Sequence, residues 1–308
     1  TVQPRRSRAG LMSLRLEMLQ VARVAPKVLG DAAELVRNFL ASQQNPDGGF
    51  RDRDGESDLY YTVFGMDALA VFQAEPDMAA VEQFLLTHGE GDDLDLVHLS
   101  CLARCWGTVG RDRMPKGLRK ALLQRLENFR KPCGGWDNNP NREHGTAYGS
   151  FLALGAYQDL GKLPPKPLRI LQSLKHLETP DHAWNNHPNL PVGSTNPTAG
   201  AVVLLNNLHL PINTEVGHWL RAQLHPQGGF VAVPGAPMPD LLTTATALHA
   251  LAALEVRLTE EQTERCLDFI DTLWNATGGF HGNWTDDYLD CEYTFYGLLA
   301  LGHLSLNG

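Results

Sequence analysis

One short turn recurs four times, as Gly48-Gly49-Phe50, Gly134-Gly135-Trp136, Gly228-Gly229-Phe230 and Gly278-Gly279-Phe280. Each copy follows a polar stretch that closes an apparent helix, as in Gln43-Gln44-Asn45-Pro46-Asp47. The last interval is close to half of the first two, so degenerate copies are expected near 91 and 181. His88-Gly89-Glu90-Gly91-Asp92 and Pro180-Asp181-His182-Ala183-Trp184 stand there. The chain therefore reads as six units of roughly 45–50 residues, the length of a helical-pair repeat. One pair cannot bury its own apolar face, so the six are expected to form a single domain over 11–308, after a disordered tail at 1–10.

Within the units two kinds of helix alternate. The stretch from Leu59 to Ala70 is apolar nearly all round, which marks a buried helix, and Asp58 is its expected N-cap. Similar apolar, small-residue helices are expected to begin near Asp95, His144, Thr195, Leu241 and Cys291. Amphipathic helices are expected over 32–44 and from near Pro76, Pro115, Pro167, Pro211 and Thr259, several with proline in the first turn. A further helix is expected over 11–24. Strand-like alternation is absent. The economical architecture is all-α: six concentric helical hairpins closed as an α/α toroid, an (α/α)6 barrel, with apolar helices inside and amphipathic ones outside. Closure would gather every inner-helix start around one central cavity.

The net charge of −9 disfavours a nucleic-acid backbone as partner. Five cysteines without a C-x-x-C pair fit a reduced compartment, and the expected location is cytoplasmic. No apolar run reaches the roughly 18 residues of a membrane span.

The Gly-Gly-aromatic turns and the inner-helix starts Asp58-Leu59-Tyr60-Tyr61-Thr62, Asp240-Leu241-Leu242-Thr243-Thr244-Ala245 and Asp290-Cys291-Glu292-Tyr293-Thr294-Phe295 resemble the prenyltransferase and squalene–hopene cyclase repeat family. The resemblance spans about 30–305. In protein prenyltransferase β subunits it implies a zinc held by Asp-x-Cys and a later His. Here Asp240 matches the Asp, but Leu242 stands at the Cys position and Tyr293 at the His position. Zinc is therefore not expected. For the diphosphate-binding bases the match is Arg53 alone, three residues after Phe50. The resemblance to class II terpene cyclases implies an Asp-x-Asp-Asp-Thr-Ala acid motif. Asp240-Leu241-Leu242-Thr243-Thr244-Ala245 keeps its frame, with Leu242 and Thr243 where two carboxylates belong. A protein prenyltransferase would also need an α-subunit partner, which this sequence does not reveal.

The residues themselves offer carboxylates at inner-helix starts, which either cap helices or face a cavity as acids with raised pKa. Asp240 is the first candidate and Asp290 the second. The series Asp286-Asp287-Tyr288-Leu289-Asp290 has the spacing of a magnesium–diphosphate motif, against the plainer reading of a solvated acidic loop. No metal-ligand cluster is evident. Tyr60, Tyr61, Phe64, Tyr148, Tyr293 and Tyr296 are candidates for an aromatic wall that would stabilise carbocations, or else for packing. His98, His144, Thr243 and Arg53 complete the candidate substrate-binding set. The expected function is isoprenoid binding, with action on a prenyl diphosphate or polyprene by a non-standard mechanism. The alternatives are a non-catalytic lipid-binding or protein-interaction scaffold and a carbohydrate-active toroid with paired carboxylates.

Overall fold

The computed structural model describes residues 13–307, so the expected tail at 1–10 lies outside the described residues. Six inner helices follow one another: α4 (Leu59–Val71), α6 (Leu96–Val109), α8 (Ala147–Asp159), α10 (Thr195–Asn207), α12 (Leu241–Ala253) and α14 (Cys291–Asn307). Six outer helices precede them in turn: α3 (Ala32–Ser42), α5 (Met78–Thr87), α7 (Leu118–Asn128), α9 (Ile170–Leu177), α11 (Glu215–Arg221) and α13 (Glu260–Thr272). Each inner helix packs on the next, and α14 returns to pack on α4, so the ring closes. The inner helices bury nearly every face, and the outer ones only a stripe, such as Val81, Phe84 and Leu85 on α5.

The recurring turn holds inner to outer helix. The amides of Phe50, Trp184 and Phe230 each donate 2.9 Å to the hydroxyls of Thr62, Thr198 and Thr244 on the following inner helix. Trp136 and Phe280 do the same with Ser150 and Thr294 at 3.3 Å. Trp184 thus occupies the aromatic slot in the degenerate copy near 181, while the copy near 91 has no aromatic there and Leu99 closes over Gly91 instead. The last turn seals the ring: Gly278 lies directly against the Leu35 carbonyl of α3, with no space for a Cβ. Thr244→Val is isosteric but leaves the buried Phe230 amide without an acceptor. It should cost about 1–3 kcal/mol, read from denaturant unfolding. An unchanged midpoint would remove this hydroxyl from the account.

Three details depart from the sequence reading. The third inner helix starts at Ala147 rather than near His144, because Thr146 takes the cap by accepting from the Gly149 amide at 2.9 Å. The sequence puts Leu35, Val36, Phe39 and Leu40 on one stripe of α3, but Leu35 is 45% exposed, and Val36 and Leu40 carry the contact. A two-residue ladder, β1 (Phe50–Arg51) with β2 (Ser57–Asp58), braces the first turn where no strand was expected.

The N-terminal helices α1 (Leu14–Ala22) and α2 (Ala25–Leu29) have a task of their own. Helix α1 lies across the C-terminal ends of the inner ring. Its Leu14 amide donates to Gln158 at 3.0 Å, Arg15 pairs with Asp67 at 2.7 Å, and Glu17 accepts from Asn207 at 3.0 Å. Val21 abuts Gly302. The toroid is thereby floored at one end and open at the other, where the inner helices begin.

Candidate active site

Inside the ring lies a cavity of about 220 Å³. Its walls are mostly apolar, with Val63, Phe64, Phe151, Leu152, Leu242 and Leu299 among the lining side chains and Met18 of α1 at the floor. The volume falls below the roughly 300–1,000 Å³ of common ligand pockets, which favours a short guest.

Aromatic rings gather on one side of the mouth. Phe64 meets Tyr60 at 4.9 Å, Tyr296 at 5.4 Å and Phe295 at 5.7 Å between centroids. Tyr61 stands edge-on to Tyr60 at 5.7 Å. Across the ring, Tyr148 also lines the cavity, 46% exposed toward the opening. Beside these rings sits Glu292, in the first turn of α14. The Tyr60 hydroxyl donates to its Oε1 at 2.6 Å, and no described residue is bonded to Oε2. Burial pushes the Glu292 carboxyl up to about 7, with the nearby Asp290 charge adding to the rise. The acid form is therefore accessible near neutral pH.

The other sequence candidates are engaged differently. Asp240 caps α12, Oδ1 accepting from the Thr243 amide and Oδ2 from its hydroxyl, both at 2.7 Å. Thr243 in turn receives Asn196 at 3.2 Å. Asp290 accepts from the Tyr293 amide at 2.8 Å and from Arg53 Nε at 3.0 Å. Burial raises the pKa of both aspartates, but each oxygen already has a donor. Arg53 also pairs with Asp286 at 2.9 Å and stacks over the rings of Tyr288 and Tyr293 at 5.0 and 5.4 Å. His144 stacks on His176 of α9 at 4.1 Å and forms no part of the cavity wall.

His98 bridges Asp58 at 3.3 Å and Asp95 at 2.8 Å on the rim. The hydrogen bonds to Asp58 and Asp95 raise its pKa to about 9 against the desolvation that opposes its charge. Its folded value exceeds its unfolded one, near 6.5. The stabilisation is thus complete below about pH 6.5 and fades as pH rises through 9. His98→Gln should remove that part of the pH dependence in urea melts taken between pH 6 and 10, and an identical slope in both proteins would refute the linkage.

The donor set does not fit zinc. Around Asp240 the available groups are threonine hydroxyls and amides, with no thiolate or imidazole. The magnesium-like series fits poorly too, since Arg53 already neutralises Asp286 and Asp290. Among the described residues no group of three or more histidine, cysteine or acidic side chains is arranged to hold a metal. All five cysteines are free, and burial pushes the Cys291 thiol up, so it is a poor nucleophile.

Sequence reasoning missed Asp67 and Arg104 in the polar floor. Asp67, Arg104 and His249 line the deep end of the cavity. Arg104 Nε donates to Asp159 at 3.1 Å. His249 pairs with His303 at 3.0 Å, and burial lowers the His249 pKa to about 4, so the pair stays neutral. The available signal was Asp67 and Arg104 interrupting helices that are otherwise apolar.

Comparison with known proteins follows the same lines. A search among curated protein sequences finds no match. Among solved structures, the type II terpene cyclase MstE from Scytonema superposes with a TM-score of 0.58 at 14% identity, covering 93% of this chain and 97% of that one. The GH76A alpha-1,6-mannanase from Salegentibacter sp. HEL1_6 gives 0.59 at 12% identity, covering 91% and 100%. Candida albicans protein geranylgeranyltransferase-I complexed with GGPP gives 0.54 at 12% identity, covering 99% and 86%. At such identities the likeness is one of fold. No described helix is long and apolar enough to cross a membrane. The sequence model of the prenyltransferase alpha-alpha toroid domain matches residues 15–98 and 197–306, more than half of the chain, and the protein belongs to that family.

Proposed function

We propose that the central cavity binds a short isoprenoid-type lipid and that Glu292 is the acid that acts on it. The observation that carries the reading is a buried carboxyl held on one oxygen by Tyr60, an aromatic side chain that itself lines the apolar cavity. A proton passed from Oε2 to an alkene or epoxide would leave a cation beside the faces of Tyr60, Phe64 and Tyr296. The cation would end by giving up a proton to water at the mouth, and Glu292 would regain its proton from the same solvent. Asp240 and Asp290 then serve as helix caps, and Asp290 with Arg53 orders the rim.

The charge of the rim favours a neutral polyprene over a prenyl diphosphate. Asp58, Asp95, Asp286 and Asp290 share Arg53 and His98 there, Arg142 is met by Asp137, and neither Asp240 nor Glu292 is ion-paired among the described residues. An added diphosphate would meet net repulsion. The carbohydrate reading needs two carboxylates free to flank a glycosidic bond. Asp58 and Asp95 are instead both committed to His98, and the cavity between the helices is apolar.

The test is incubation of the purified chain with geraniol, farnesol and farnesyl diphosphate, followed by native mass spectrometry for binding and product analysis for conversion. Conversion of a neutral polyprene is expected. Binding without conversion of any of them would make this a lipid-binding scaffold, and retention of none would end the isoprenoid reading.

A further inference from the structure

We propose that the ligand enters with a neutral oxygen, a hydroxyl or a carbonyl, seated on the Arg104 guanidinium at the cavity floor. This deepens the isoprenoid reading and rests on it. An oil-filled cavity has no use for a buried arginine, yet one lines it here.

Arg104 stands in α6 deep below the mouth. On the neighbouring α4, Tyr60 at the mouth and Asp67 at the floor are seven residues apart, about 10 Å along the axis. Only the guanidinium Nε is committed, to Asp159 at 3.1 Å. No described residue accepts from either Nη. Gly155 of α8 makes room for the guanidinium itself, since a Cβ there would come within 3.1 Å of Nη2. Guanidinium donors left unmet against an apolar guest would cost binding energy, whereas an oxygen on the guest would meet them.

The charge at the floor decides which oxygen. Arg15 with Asp67 and Arg104 with Asp159 make two balanced ion pairs, and the His249–His303 pair is neutral. A carboxylate would add an uncompensated negative charge beside two buried aspartates. Glu17 on α1, bonded only to neutral Asn207 among the described residues, adds to that repulsion. An ammonium has no lone pair to accept from the guanidinium and would be repelled by it. A hydroxyl or carbonyl accepts the hydrogen bonds and leaves the charge there unchanged. Met18, Val203 and Leu299 around the floor then pack on the adjoining hydrocarbon.

The experiment measures binding of farnesene, farnesol and farnesoic acid to the full chain by isothermal titration. The wild-type protein should bind farnesol about tenfold or more tighter than farnesene, the worth of a hydrogen bond to a charged donor. Arg104→Met combined with Asp159→Leu removes the pair together, so no carboxylate is stranded. That variant should bind both ligands alike, farnesol losing the hydrogen bond and farnesene no longer leaving guanidinium donors unmet. Equal wild-type affinities for farnesene and farnesol, or tightest binding of farnesoic acid, would overturn the inference while sparing the isoprenoid reading. A preference for farnesol that survives in the double variant would overturn it too. Failure of all three to bind would overturn both. The wild-type comparison stands even if the variant does not fold.

Discussion

Glu292→Gln is expected to lower turnover of a neutral polyprene by roughly 10²- to 10⁴-fold, the usual worth of a positioned general acid, while leaving its binding within about twofold. The amide keeps the shape and still accepts from the Tyr60 hydroxyl, now 2.6 Å from Glu292 Oε1. It cannot give up a proton to an alkene. A fall in kcat without a matching change in dissociation constant is therefore the signature. The wild-type rate should also decline as pH rises through about 7, because only the acid form is competent and burial sets its pKa there. The same shift carries a stability signature. The folded pKa lies above the unfolded value near 4.5, so this group lowers stability as pH rises from about 4.5 to 7. Glu292→Gln should flatten that stretch of the profile. Turnover that persists in Glu292→Gln but vanishes in Asp240→Asn would return the acid's role to Asp240.

The fold could be read from the chain because its determinants are local and repeated. A Gly-Gly-aromatic turn, a capping Asp and an apolar run recur at fixed spacing, and each constrains its own neighbourhood. Closure followed from the all-round apolarity of the inner helices, which an open array would leave exposed. The site was less legible. Asp240, Asp290 and Glu292 all occupy inner-helix starts, and nothing in sequence spacing separates a cap from an acid. What separates them is the partner each oxygen finds. Thr243 lies three residues from Asp240, but the Tyr60 that holds Glu292 comes from the opposite end of the chain, brought near only because α14 closes on α4. The floor was illegible for the same reason. Arg15, Asp67, Arg104 and Asp159 sit on four different helices; the first pair depends on α1 lying across the ring and the second on α6 packing against α8.

Gly228→Ala should cost about 4 kcal/mol, the largest stability loss expected from adding a single methyl group to this chain. Two penalties combine. The residue has φ of +88°, where a side chain is strained by about 1 kcal/mol or more. An added Cβ would also lie 1.9 Å from the Arg265 carbonyl oxygen of α13, a backbone atom in a helix that cannot swing aside. Relieving the collision means parting the turn from the outer helix, with loss of packing worth a few kcal/mol more. Gly235→Ala separates the two penalties, since Gly235 has φ of +78° but nothing within 4 Å of its Cβ. It should lose only the conformational share, about 1 kcal/mol. If both alanine variants unfold at the same denaturant concentration, backbone strain alone explains the glycine and the close approach of turn to helix is not what holds successive hairpins together. If Gly228→Ala falls well below Gly235→Ala, the joint between units is a direct backbone contact. The matching abutment of Gly278 on Leu35 would then be what ties the sixth hairpin to the first and keeps the cavity enclosed.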